Sequence, residues 1–121
     1  MTRYLLLLLA LCSVSFGQSL EGFWAGTLQV EGRTLRAWIE FTKAADGTLT
    51  AVAESPDENN DKFEVTTIRQ DGRDVMIAIA ELHGVWEGKF NEDGSELTGN
   101  WSQEGVAHVL NFKRSKREKK E

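Results

Sequence analysis

Cysteine occurs once in the 121 residues, at Cys12, proline once, at Pro56, and histidine only at His83 and His108. The lone cysteine lies in the N-terminal apolar stretch, so the rest of the chain can form no disulfide and no cysteine-based redox or zinc site. The two histidines sit in different settings, one at a turn signal and one in an alternating stretch. Neither has a neighbouring residue to complete a triad or a zinc set. No Gly-x-Ser-x-Gly nucleophile elbow occurs. Amphipathic helical periodicity is missing after Glu21, and no apolar run is long enough to span a bilayer as a permanent helix. The expectation is a non-enzyme with no cofactor, no metal and no transmembrane segment.

Charge of one sign is also scarce where it would matter most for nucleic acid. The formal net charge is −5, yet Lys113 to Glu121 holds six basic residues and two acidic ones, so the body is more acidic than the total. An acidic body argues against a nucleic-acid surface, because phosphate neutralisation needs basic patches on the folded part. The basic end reads as a solvated tail, with weak attachment to an anionic envelope surface as its functional counterpart.

The first 17 residues read as an export signal. Arg3 supplies the positive start, Leu5 to Leu11 the apolar run, and Ser15-Phe16-Gly17 a small-x-small cleavage site. The rival reading is a lipoprotein anchored at Cys12, but the residue before it, Leu11, is larger than that chemistry prefers. The expected organisation is a signal peptide over 1–17, a barrel domain over 18–114 and a basic tail over 115–121, with the protein periplasmic or extracellular.

What the chain has in quantity is short alternating segments separated by turn signals: Glu31-Gly32, Asp46-Gly47, Ser55 to Asp61, Asp71-Gly72, His83-Gly84, Asp93-Gly94 and Glu104-Gly105. These predict eight strands, and sequential strands with short turns predict an up-and-down antiparallel barrel with the last strand beside the first. An open sandwich of two sheets is the alternative. A two-residue loop at Glu31-Gly32 pairs Leu28 with Leu35, Gly26 with Ala37 and Trp24 with Ile39, gathering the large apolar residues on one face. The same logic at Glu104-Gly105 and at Glu92 to Ser95 aligns Trp86-Trp101-His108, Gly88-Gly99-Leu110 and Phe90-Leu97-Phe112. Phe63 and Val65 are an odd step from Ile68, which predicts a β-bulge near Thr66-Thr67.

Three stretches repeat one device, a Trp two residues from a Gly: Gly22-Phe23-Trp24-Ala25-Gly26, Trp86-Glu87-Gly88 and Gly99-Asn100-Trp101. With Ser55-Pro56-Asp57, Gln103-x-Gly105 and Lys113-Arg114, these motifs resemble the small β-barrel domain that precedes the catalytic domain of many secreted bacterial α/β-hydrolases and is also found alone. More loosely, the chain is similar to the calycins, the lipocalin and fatty-acid-binding barrels, which open with Gly-x-Trp and cover that Trp with a basic residue from near the last strand. That similarity implies a calycin-like barrel in which Arg114 lies over Trp24. This chain has no hydrolase elbow and is shorter than a typical calycin.

The candidate sites follow from the faces. Trp86, Trp101 and His108 share the inner face and are the candidate ligand-binding residues. The core is expected to be mostly filled, with at most a shallow apolar pocket at the mouth near Trp101 and His108. Trp38 and Phe23 fall together on the outer face as a candidate partner contact, the alternative being that Trp38 lies over Ala25 and stabilises the hairpin. Asp57-x-Asn59-x-Asp61 has the spacing of a calcium loop but lacks the Gly and Glu that should follow, so it reads as a solvated acidic loop. Arg69 and Asp74 are expected to pair across the Asp71-Gly72 turn. The resulting functional expectation is an accessory or binding module for other envelope or secreted proteins. The alternative is a carrier of a small apolar ligand in the barrel interior.

Overall fold

A computed structural model describes residues 19–116. The expected signal peptide and most of the basic tail lie outside the described residues. The fold is all-β and antiparallel: β1 (Gly22–Val30), β2 (Arg33–Lys43), β3 (Leu49–Ser55), β4 (Asp61–Glu64), β5 (Thr67–Asp71), β6 (Asp74–Ile79), β7 (Gly84–Phe90), β8 (Glu96–Gln103) and β9 (Val106–Ser115). One sheet holds them all in the order β4-β3-β2-β1-β9-β8-β7-β6-β5. A 3₁₀ turn, Ala80–Leu82, precedes β7 and ends on His83 in the left-handed conformation. This turn stands where a simple His83-Gly84 turn was expected. Among the described residues no helix is long and apolar enough to cross a membrane.

The hairpins keep the register that their turns dictate. Glu31 and Gly32 have φ of 51° and 79°, and Glu104 and Gly105 have 51° and 84°. Two consecutive positive φ values make the type I′ combination, whose twist matches that of the flanking strands. Trp24 accordingly faces Ile39, Leu28 faces Leu35, and Trp101 faces both Trp86 and His108. As expected, the last strand lies beside the first, Trp24 facing Arg114 and Gly26 facing Phe112.

The eight-stranded closed barrel is corrected to a curled nine-stranded half-barrel. β4 and β5 form the two edges of the sheet, and both pair antiparallel with strands that themselves run alike, so they share one direction along the chain. Together they occupy the place of the expected fourth strand, broken in two. The break is not a bulge at Thr66-Thr67 but a transfer of partners. The Val65 N–H donates to the Ala51 carbonyl of β3, and the next N–H, of Thr66, donates to the Ala78 carbonyl of β6. The Thr66 hydroxyl fixes the crossing by donating to the same Ala78 carbonyl at 2.9 Å and accepting the Ala80 N–H at 3.0 Å. Ile68 thus regains the inner face beside Phe63 and Val65, all three packed on the core.

The expected Arg69–Asp74 pair is also corrected. The loop is Gly72-Arg73, so Asp71 faces Asp74 and Arg69 faces Met76. Arg73 is held toward β7: its carbonyl accepts the Phe90 N–H, and its guanidinium donates to the Phe90 carbonyl. Asp74 instead lies 3.9 Å from Lys89.

The core lies inside the curl, where Trp24, Ile39, Phe41, Val75, Ile77, Ile79, Trp86, Phe90, Leu97, Trp101, Leu110 and Phe112 are buried. Two glycines decide how tightly the sheet can coil beneath the indoles. A Cβ on Gly99 would fall 2.2 Å from the Glu87 carbonyl oxygen, and one on Gly84 would fall 2.2 Å from the Trp101 ring.

Candidate functional site

Inside the curl is a cavity of about 220 Å³. Its floor comes from Ile77 on β6, Trp86 on β7, and Leu110 and Phe112 on β9, and its near wall from Leu35, Ala37, Ile39, Ala53 and Phe63 on β2 to β4. Its lining includes core side chains of β2, β6, β7 and β9, whereas a shallow pocket near Trp101 and His108 was expected. The expectation of a filled core weighed the large inner-face residues, whereas small residues set the space. Ala37 and Ala53 occupy inner-face positions of neighbouring strands, as the pairs Gly26/Ala37 and Ile39/Ala53 require, and both line the cavity.

Trp86 and Trp101 line this cavity, and both indoles are fixed by hydrogen bonds. Trp86 is buried, stands edge-on to Phe112 at 5.6 Å, and donates its Nε1–H to the Leu110 carbonyl at 2.7 Å. That bond interrupts the β8/β9 ladder. The Gly99 N–H, whose ladder partner would be Leu110, donates instead to Asn111 Oδ1 at 3.0 Å. The Leu110 carbonyl and the Gly99 N–H thus each keep a partner, as buried polar groups must. Trp101 Nε1–H donates to Gln103 Oε1 at 3.0 Å, and Gln103 Nε2 donates to the Leu82 carbonyl at 2.8 Å, tying β8 to the 3₁₀ turn at the mouth. His108 faces Trp101 in register and is half-buried, but it is not part of the cavity wall.

The mouth lies at the end of the curl that carries the 31–32, 56–60 and 104–105 turns, where the exposed Arg36 and Glu58 join the wall. Arg36 is engaged by Asp57. The guanidinium donates to Asp57 Oδ1 at 2.8 Å, and the Arg36 N–H donates to Oδ2 at 2.8 Å. Hydrogen bonding from the Arg36 side chain, then from its backbone, lowers the Asp57 carboxyl below its ordinary range. Asp57 is thereby occupied, and among the described residues no cluster of three His, Cys, Asp or Glu side chains is arranged to hold a metal ion.

The outer face carries Phe23 and Trp38, brought together as expected, with ring centroids 5.6 Å apart and edge-on. Phe23 is only 9% exposed. Trp38 is half-buried, and the Arg36 guanidinium lies 5.6 Å from its ring centroid. The pair presents one partly covered indole rather than a broad apolar patch.

At the opposite end, Arg114 lies 4.3 Å from the centroid of the Trp24 ring. Its Nε donates to the Gly94 carbonyl at 3.0 Å, one terminal nitrogen to the Glu21 carbonyl at 3.1 Å, and the other to the Ser19 carbonyl. Trp24 Nε1–H donates to the Leu20 carbonyl at 2.9 Å, and the Leu20 side chain is buried in the core. This staple seals the end away from the cavity mouth. Leu20 was not readable as a core residue, because it precedes the first strand and belongs to no alternating pattern. No family model and no curated protein matches this chain.

Proposed function

We propose that the protein is an exported, non-catalytic binding module whose calycin-like half-barrel takes up a small apolar molecule. The observation that carries the reading is the cavity of about 220 Å³ walled by Trp86, Trp101, Ile77, Leu110 and Phe112. An apolar cavity of about 150 Å³ stays dry and accepts benzene, so this one has room for an apolar group of about eight carbons. Ligand sites are concave and mostly apolar with a few polar groups at the entrance, which is the distribution found here. Export rests on Arg3, the Leu5 to Leu11 run and Ser15-Phe16-Gly17.

The experiment is a titration with octan-1-ol followed by tryptophan fluorescence, since three of the four tryptophans, Trp38, Trp86 and Trp101, line the cavity. The reading requires a saturable one-to-one change. An unsaturable drift that matches free tryptophan in the same solvent would refute it. An accessory role toward other envelope or secreted proteins draws on Phe23 and Trp38 alone, and the low exposure of Phe23 gives it the weaker support.

A further inference from the structure

We infer that Gln103 is the polar recognition group of the cavity, and that the molecule taken up carries a neutral oxygen acceptor, a carbonyl or hydroxyl, at the mouth end of its apolar group. This rests on the binding reading just given and adds the chemistry of the head group to it. Trp101 and Gln103 are two residues apart on β8, so their side chains leave the strand on the same face, and both line the cavity. Gln103 ends that strand, facing Gly84 and Val106 in register, and is half-buried. It directly precedes the 104–105 turn and therefore stands at the mouth.

The orientation of its carboxamide is fixed by its partners. The Trp101 Nε1–H can only donate and so must meet the oxygen, while the Leu82 carbonyl can only accept and so must meet the nitrogen. These bonds are 3.0 and 2.8 Å long. A primary carboxamide has two N–H donors and two acceptor lone pairs, so the two bonds leave one N–H and one lone pair over. A side chain already held at both ends loses little further freedom when another bond forms. A molecule whose apolar part fills the interior must bring its polar atom to the mouth, because an oxygen buried without a partner is penalised. The remaining N–H of Gln103 is the donor that offsets this penalty. A ketone would use that N–H alone, and a hydroxyl could use the lone pair as well. Ser55, also in the wall, is the poorer donor, since its hydroxyl hydrogen is given to Glu58 Oε1 at 3.1 Å.

The test compares ethylbenzene with acetophenone, which has nearly the same shape and adds a carbonyl, on the full protein and on Gln103→Met by calorimetry. In the native protein acetophenone should bind within about threefold of ethylbenzene, because the hydrogen bond offsets the cost of removing its carbonyl from water. In Gln103→Met the carbonyl is left unpaired, and the ratio should widen to about tenfold or more in favour of ethylbenzene. The ratio is the readout because loss of the Trp101 anchor acts on both molecules alike. Nuclear magnetic resonance of the native protein supplies a measurement that needs no variant. Acetophenone, but not ethylbenzene, should move one Gln103 side-chain N–H proton downfield, a shift that a purely structural glutamine would not show. An unchanged ratio, or the absence of that selective shift, would overturn the role of Gln103 while leaving the binding reading in place. Failure of both molecules to bind would overturn the binding reading, and this inference with it.

Discussion

Replacing Arg114 by Met keeps an unbranched stem of similar reach and removes the guanidinium that closes the end of the curl. The losses are one cation over an indole face at 4.3 Å, worth about 0.5 to 2 kcal/mol, and three hydrogen bonds to the Gly94, Glu21 and Ser19 carbonyls. Each such bond contributes about 0.5 to 1.5 kcal/mol net. The side chain is exposed, so the lower part of each range applies, and the total is about 2 to 4 kcal/mol. Arg114→Lys keeps the charge but cannot reach three divergent carbonyls, so about half of that loss should remain. In a domain of this size 1 kcal/mol shifts the melting temperature by about 4 to 8 °C, and Arg114→Met should lower it by roughly 10 to 20 °C. Urea denaturation at two salt concentrations is the assay. Hydrogen exchange at residues 19–21 supplies a local readout, because the strap those residues form should lose protection first. Stability of Arg114→Met within about 0.5 kcal/mol of the native protein would refute the staple argument.

Gly99→Ala should destabilise by at least about 3 kcal/mol, because its Cβ would meet the Glu87 carbonyl and the Gly88 Cα, both backbone; a mild effect in a urea melt would mean that β7 and β8 can separate at little cost. Trp86→Ala should cost about 3 to 5 kcal/mol, since a buried indole is lost and the Leu110 carbonyl loses its donor; a stably folded variant with native urea midpoint would contradict this. Acid sensitivity follows from Asp57, held low first by the Arg36 side chain, from Asp93, held low first by the Ser95 side chain, and from Asp46, held low first by the Thr48 backbone N–H. Groups with depressed folded values stabilise the fold above the ordinary carboxylate value of about 3.9 and lose that contribution as pH falls through their folded values. Melting temperature should therefore drop below about pH 4, and less steeply in a variant carrying Asn at all three positions; identical acid limbs would sink the assignment.

The sheet was readable wherever a turn fixed the loop length. Glu31-Gly32 and Glu104-Gly105 leave one register that collects the large apolar residues, and the observed pairs follow it. The β4/β5 break was not readable in that way, because Val65-Thr66 contains neither Gly nor Pro. The change of partner is set by the Ala51 and Ala78 carbonyls, which only the folded sheet brings near. The Gly72-Arg73 loop was misplaced by one residue for a similar reason, since Arg73 is positioned by Phe90 on a strand 17 residues away. Trp86 and Trp101 were legible as inner-face residues, but the space in front of them was not. A pattern of large residues reports where a core lies, whereas its emptiness depends on small residues such as Ala37 and Ala53 and on how far the sheet curls. Arg114 was legible only by analogy with the calycin pattern expected from Gly22-Phe23-Trp24, since nothing in its local pattern points to Trp24.

The central claim is that the curl encloses space that a small apolar molecule enters. Ala53 lines that space from β3, so Ala53→Leu fills it from within while keeping an apolar residue on the inner face. Calorimetric titration of octan-1-ol into the native protein and into Ala53→Leu is the direct test. The account predicts saturable one-to-one binding with a negative heat-capacity change in the native protein, and no binding in a folded Ala53→Leu of equal or higher melting temperature. Identical isotherms for the two proteins, or no heat from either, would contradict it.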